Sequence, residues 1–244
     1  MMIEEQKDDS GSVSLPFGKQ TVVGSTVILG DCVEVMKGFE DNQFDLAIVD
    51  PPYGISIAAN GNLHNNSKYD RGFKKNKDYK PVDWDDAIPN ENYFKELQRV
   101  SKKQIIFGGN FFFEYLQSTR SFIVWYKKGK DKNPNFSPAE FAWTNCDGLP
   151  KVYFIDWIGF GYINSGEEKI HPTHKPVKLY ESIMNDFCKE GFKVLDTHLG
   201  GGSSRIAADK IGIDFTGIEI DIDHFNNQEK RFKQYKSQLR IEGW

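Results

Sequence analysis

Short runs of β-branched and apolar residues, each closed by turn residues, alternate along the chain with segments of helical periodicity. Residues 21–29 (TVVGSTVIL) and 44–49 (FDLAIV) read as buried parallel strands. The first runs through Gly30 into Asp31 and the second runs directly into Asp50. Each acid therefore stands just past the carboxyl end of a strand, the edge where open α/β sheets bind ligands. CVEVMKGFEDN between them suits a short helix, which completes a β-α-β unit. After Pro89-Asn90, the segment ENYFKELQRV repeats Phe94, Leu97 and Val100 at helical spacing, and QIIFGG and SFIVWY (121–126) follow as strands. From there to about residue 168 the pattern is irregular. A helix is expected from Pro176, with Val177, Tyr180, Ile183 and Phe187 on one face and Gly191 as its stop. KVLD (193–196) and DFTGIEI (214–220) are two more strands, joined by a glycine turn and SSRIAADKI. Phe225, Phe232, Tyr235 and Leu239 mark a last helix packed on the sheet.

A chain of 244 residues allows one large domain or two small ones, and 39% hydrophobic with 14% aromatic residues is the composition of a folded core. The balance of 31 basic and 35 acidic side chains, net −4, rules out a protein coated in positive charge but not a local basic face. Lys68, Arg71, Lys74, Lys75, Lys77 and Lys80 form such a cluster against Asp70 and Asp78, interleaved with Tyr69, Phe73 and Tyr79; Lys127, Lys128, Lys130 and Lys132 form a smaller one. The first reads either as a solvated loop or as a groove for unstacked nucleic acid. Cys32, Cys146 and Cys188 are odd in number and lack C-x-x-C spacing, so no disulfide framework or zinc cluster is expected, and His171 and His174, with Pro172 between them and no second ligand pair, suggest no metal. The polar start MMIEEQKDDSGS is unlike a signal peptide, and no apolar run approaches a membrane span. A soluble, cytoplasmic protein is the expectation.

The sharpest chemical signal is Asp50-Pro51-Pro52-Tyr53. Two prolines remove two backbone donors, so the strand must end there and its carbonyls are available to a cleft. The amine of adenine or cytosine is a poor nucleophile because its lone pair is delocalised into the ring. Two acceptors on its hydrogens, Asp50 and the Pro51 carbonyl, would pyramidalise it, while the Tyr53 ring offers a face for stacking. The bland alternative is a proline-rich turn with an Asx-type aspartate. The second signal is DTHLGGGSS (196–204), running from strand to helix, with Glu219 at the end of the next strand. Glycines admit a ligand close to the backbone, and a carboxylate there can take both hydroxyls of a ribose, which points to an adenosine-containing cofactor. A structural glycine turn is the alternative. Only 25 residues follow Glu219, too few for the second half of a dinucleotide fold unless the chain is permuted.

Together these motifs resemble the DNA amino-methyltransferases of the β arrangement, in which the catalytic motif precedes the target-recognition region and the cofactor loop comes late. DPPY at 50–53 resembles the catalytic motif, Asp31 in ILGDC the acid that holds the cofactor adenine, and HPTHKPVKL at 171–179 the motif around the methionine end. DTHLGGGSS resembles the glycine loop and GIEID at 217–221 the ribose-binding acid. Thr197 and His198 depart from the family's Pro-Phe, and Gly201 is an additional glycine.

The resemblance implies a Rossmann-like S-adenosylmethionine-dependent α/β fold in circularly permuted order, with strands 193–196 and 214–218 beside 22–29, followed by 44–49 and 103–107. It divides the chain into a flexible 1–20, a catalytic half 21–110, a strand plus target-recognition region 111–170 and a cofactor half 171–244. It implies methylation of adenine N6 in DNA on an extruded base. Cytosine N4, an RNA or protein amide, or a non-catalytic nucleic-acid-binding relative are the alternatives. Asp50, Pro51, Pro52 and Tyr53 would be catalytic. Asp31, Cys32, Asp50, His171, Thr173, Lys175, Pro176, Asp196, His198, Gly200, Gly201, Gly202, Ser203, Glu219 and Ile220 would bind the donor, Thr173 and Lys175 by orienting it. Lys68, Arg71, Lys74, Lys75, Lys127 and Lys128 would face DNA. A homodimer and a cognate restriction endonuclease would be in keeping with the family.

Overall fold

A computed structural model describes residues 24–54, 88–127, 137–156 and 174–241, together with the backbone of three short strands before them. In chain order these strands are β1 (Gln6–Lys7), β2 (Val13–Ser14) and β3 (Gln20–Val22), followed by β4 (Ser25–Leu29), α1 (Cys32–Met36), β5 (Phe44–Val49), α2 (Glu91–Val100) and β6 (Ser101–Phe107). Next come β7 (Phe122–Tyr126), β8 (Ala139–Thr144), β9 (Lys151–Phe154), α3 (Val177–Phe187), β10 (Lys193–Asp196), α4 (Ser203–Ile211), β11 (Asp214–Glu219) and α5 (Ile222–Ile241). β1 and β2 pair with each other, and the other nine strands make one sheet in the order β3-β4-β11-β10-β5-β6-β8-β7-β9.

Strands β4, β11, β10, β5 and β6 are parallel. The two late strands are inserted between β4 and β5, so the chain's first β-α-β unit straddles them. This is the permuted order expected from the motifs, and it brings the ends of β4, β5, β10 and β11 to one edge. The centre of the sheet is apolar on both sides: Val27, Ile48, Ile105, Val194 and Phe215 pack with α3, α4 and α5, while Ala47, Val49, Ile106, Leu195 and Ile218 pack with α1 and α2. α2 is capped by the Asn90 side chain on the Tyr93 amide and buries Tyr93, Phe94, Leu97 and Val100. Burial of each such large side chain stabilises the fold by roughly 1.5–3 kcal/mol.

The strand expected over 21–29 is instead a hairpin. β3 runs antiparallel to β4 with Val22 opposite Ser25, and the reversal falls at Gly24, whose φ of 84° suits glycine. The irregular stretch expected up to 168 contains β8 and β9. β8 runs antiparallel to both β6 and β7, and β9 lies on the outer edge with Val152 and Phe154 exposed, so its pattern carries no buried run. α3 stops at Phe187, a turn before Gly191, because Cys188 adopts an extended backbone; Gly191 (φ 79°) serves the turn into β10. Among the described residues no helix is long and apolar enough to cross a membrane.

Candidate active site

At the carboxyl edge of the sheet a cleft of about 520 Å³ opens between the ends of the parallel strands, the start of α2 and the residues before α3. Asp31, Cys32, Asp50, Pro52, Lys175, His198, Gly200, Gly201, Ser203, Glu219 and Ile220 line it. Pro51, Tyr53, Pro176, Asp196 and Gly202 are not part of that lining but adjoin it along the chain. His171, Thr173, Lys68, Arg71, Lys74, Lys75 and Lys128 lie outside the described residues.

One end of the cleft is built on backbone. Glu219, 7% exposed, accepts the Gly200 amide on Oε2 (2.7 Å) and the Asp221 amide on Oε1 (2.9 Å). Burial raises its carboxyl above the ordinary glutamate value. The loop is pinned further by the Leu199 amide on the Ile218 carbonyl (3.0 Å) and by the Asp196 carboxylate, which takes the His198 amide (3.0 Å) and the Ser204 hydroxyl (2.5 Å). Asp196 is almost wholly enclosed, and burial pushes its carboxyl up to about 7. Gly202 then starts α4 at φ 72°, where a Cβ would sit 3.1 Å from the Gln228 Cβ. Asp31 caps α1, its Oδ1 taking the amides of Val33 and Glu34 at 2.9 and 3.0 Å.

The two residues that depart from the family pattern are tied to α1 and α2, which no feature of the sequence signalled. Thr197 Oγ1 hydrogen-bonds the Tyr93 hydroxyl (2.7 Å) and His198 Nδ1 (2.9 Å), and His198 Nε2 lies 4.0 Å from Cys32 Sγ. The Tyr93 ring meets the imidazole edge-on, with centroids 5.3 Å apart. Burial holds His198 down at about 4 and, together with the Asp31 charge, lifts the Cys32 thiol to about 12, so both are neutral near pH 7.

The other end is a chain of charges. Asp50 Oδ1 accepts the Tyr53 hydroxyl at 2.5 Å, and its Oδ2 is ion-paired with Lys175 Nζ. The same Nζ is 3.4 Å from the Tyr53 hydroxyl and 3.3 Å from Glu140 Oε2, while Glu140 Oε1 is paired with Lys127. Burial raises the Asp50 carboxyl and Lys175 opposes that rise; at Glu140 the two lysines outweigh burial and hold the carboxyl below its ordinary value. Tyr53 stacks on Phe111, with centroids 5.2 Å apart and planes within 15°. It also packs so closely on Gly108 that a Cβ there would come within 2.2 Å of the ring.

Two lysines take particular positions. Lys175 lines the cleft and its ammonium is ion-paired with the Asp50 carboxylate. Lys127 turns inward onto Glu140 and over the Trp125 ring (4.8 Å), its side chain 12% exposed, instead of presenting its charge outward. Glu140 had no sequence signal beyond an acid in an apolar strand. Its role depends on residues 13 and 35 positions away.

The family profile described as DNA methylase, covering N6 and N4 methyltransferases, matches residues 44–230. Type II methyltransferase M.HinfI of Haemophilus influenzae is 25% identical over 256 residues, covering 87% of this chain and 69% of that protein. Among solved structures, the M1.HpyAVI complex with S-adenosylmethionine superposes with a TM-score of 0.53 at 20% identity, covering 85% of this chain and 98% of that one. The cytosine-N4-specific PvuII DNA methyltransferase superposes with a TM-score of 0.57 at 12% identity, covering 87% of each. At those identities the structural likeness concerns the fold, and it agrees with the parallel strand order above. S-adenosylmethionine is the methyl donor of the family. With its catalytic-motif strand, its late glycine loop and a profile match over most of its length, the chain belongs to the N6/N4 DNA methylases.

Proposed function

We propose that the cleft methylates N6 of adenine in DNA, on a base turned out of the duplex. The observation that carries this reading is the position of the Asp50 carboxylate in the same cleft as Glu219 and the glycine loop. The residues present suit the donor. Glu219 and Asp31 supply acceptors for ribose hydroxyls and an adenine amine, the amides of the glycine loop and the start of α4 suit its carboxylate, and Ile220, Tyr93 and Leu199 give apolar walls. When bound, the donor supplies an activated methyl group on a sulfonium sulfur.

Everything else falls to the chain. Asp50 accepts one N–H of the target amine, drawing its lone pair out of ring conjugation, and takes the proton that the nitrogen sheds as its bond to the methyl carbon replaces that carbon's bond to sulfur. The acceptor is preorganised, and removal of such a group typically costs 10²–10³ in rate. A stacked base cannot reach a strand-edge cleft, so extrusion, at a few kcal/mol, must be offset by contacts to the nucleic acid. We assign that task to the 68–80 segment, where charge-removing substitutions should weaken binding and flatten its salt dependence.

The Asp-Pro-Pro-Tyr form of the motif favours adenine through the resemblance. The test is incubation with tritiated S-adenosylmethionine and several DNAs, followed by nucleoside identification. N6-methyladenine is expected; N4-methylcytosine, the product suited to a PvuII-like enzyme, would replace the adenine assignment while keeping the cleft.

A further inference from the structure

Both oxygens of the Asp50 carboxylate already have donors: the Tyr53 hydroxyl on Oδ1 and the Lys175 ammonium on Oδ2. Each oxygen keeps a further lone pair, but the Asp50 side chain is only 14% exposed, so a target amine must compete with those two donors for a narrow face. Tyr53 is wedged against Gly108 and stacked on Phe111, which leaves it little room. Lys175 is placed differently. Its Nζ lies 4.6 Å from the centre of the Phe107 ring and 5.8 Å from that of Tyr53, faces along which a cation can move without losing all its attraction. On its far side, 3.3 Å away, is Glu140 Oε2, a buried oxygen with no hydrogen-bond partner among the described residues. That oxygen is ion-paired with Lys175 but lacks a well-aligned hydrogen bond, so a small shift of the ammonium would improve its contact. Lys127 fixes the other Glu140 oxygen and so holds the carboxylate in place.

We propose that Lys175 is a positioning residue shared between two acids: it spans Asp50 and Glu140 and shifts fully onto Glu140 Oε2 when the target amine takes its place on Asp50. The idea deepens the proposed reaction and rests on it for the identity of the amine. The Lys175 charge opposes the rise that burial imposes on the Asp50 carboxyl, and Glu140 keeps Lys175 from being stranded afterwards. An unpaired buried charge left by the exchange would otherwise oppose base binding.

The test follows the Asp50 carboxyl carbon by NMR in ligand-free protein labelled at aspartate, assigned with Asp50→Asn. The groups facing Asp50 are Lys175, Glu140, Tyr53, Tyr93 of α2, Tyr180 of α3 and Asp196 of β10, so each variant changes one charge in a known set. Lys175→Met removes the cation, and the Asp50 midpoint should rise by about one pH unit or more. Glu140→Gln removes the competing acid, and the midpoint should fall as Lys175 settles on Asp50. Charges that never move would also shift the two midpoints in opposite directions, so the sign shows only that Lys175 and Glu140 both face Asp50, and the exchange itself is read from transfer. Single-turnover transfer by Glu140→Gln should then slow roughly tenfold at saturating donor, with donor affinity unchanged, because the lysine has lost its second seat.

Midpoints that stay put or move together would overturn the proposal. So would weakened donor binding in Lys175→Met with Asp50 unmoved, which would assign Lys175 to the donor. If Lys175→Met does not fold, Glu140→Gln, which keeps size and shape, decides alone: slowed single-turnover transfer at unchanged donor affinity supports the sharing and unslowed transfer refutes it. Should the unmodified protein transfer no methyl group to any DNA, the proposed reaction fails and the exchange with it, and the NMR midpoints still show whether Lys175 and Glu140 both face Asp50.

Discussion

The two ends of the cleft are built from different materials. At the Glu219 end, a buried acid is held by backbone amides two residues ahead of it and nineteen behind, and little can move without unpinning the loop. At the Asp50 end, four charged side chains from four separate stretches alternate in sign, and one of them, Lys175, touches two acids. Backbone amides make a fixed cradle, suited to a ligand that arrives each time in one pose. Long charged side chains make an adjustable site, suited to a group that must be exchanged. In the proposed reaction, the difference separates holding a donor from accepting an amine.

The largest expected effect would break the comparison at the adjustable end. Asp50→Ala should lower methyl transfer by about 10²–10³ or more while donor binding, measured by calorimetry, stays within a few-fold. Transfer within tenfold of the unchanged protein would remove Asp50 from the chemistry and leave the charge chain without a purpose.

The second effect concerns the fixed end and its pH response. His198 is held down at about 4 against an ordinary 6.5, so as pH falls through that window the unfolded chain takes the proton first and stability is lost. Asp196 behaves oppositely. Its folded value of about 7 lies above the ordinary 3.8, so stability is regained as pH falls from 7 toward 4. The neighbours largely cancel between pH 4 and 6.5. His198→Phe, which restores the family's residue, should uncover the Asp196 term. Relative to the unchanged protein, the variant should gain up to about 3 kcal/mol between pH 6.5 and 4, at about 1.4 kcal/mol per unit, read from denaturant unfolding at each pH. A difference that does not change with pH would mean that the imidazole is solvated in the folded protein.

Glu219→Gln would sharpen the contrast next. A glutamine has one acceptor oxygen and cannot take both the Gly200 and Asp221 amides. Loss of a charge-assisted bond corresponds to about 1.5–3 kcal/mol, so donor dissociation constants should rise roughly 10- to 100-fold with transfer at saturating donor little changed. A fall in transfer rate with affinity intact would move Glu219 from holding the donor to the chemistry.

Legibility in the sequence follows the same division. Asp31, Asp50, Asp196 and Glu219 were visible because each stands at the end of an apolar strand, and the strand order followed from the order of the motifs. β8 escaped because its antiparallel pairing is decided by β6 and β7, more than a dozen residues away in either case, and β3 because a single glycine turns one apparent strand into two. Glu140, Lys127 and Lys175 form a unit only once β8 lies beside the cleft. An acid in AEFAWT and a lysine after a histidine motif say nothing of each other. Periodicity finds what neighbours along the chain decide, whereas the charge chain is decided by neighbours across the sheet.

The smallest expected effect tests the bridge between α2 and the glycine loop. Tyr93→Phe deletes a hydroxyl that is 2.7 Å from Thr197 Oγ1, and Thr197 keeps its bond to His198 Nδ1, so no buried group is orphaned. The cost should therefore be that of one ordinary hydrogen bond, about 1 kcal/mol of stability, with donor affinity reduced a few-fold as the loop loosens. Glu91→Gln on the same helix provides the scale: its pair with Lys95 is exposed on both sides, and its loss should cost no more than about 0.5 kcal/mol and leave donor affinity alone. If the two variants prove equal in both measurements, α2 packs beside the donor loop without steadying it, and the fixed end of the cleft is held by Glu219 and Asp196 alone.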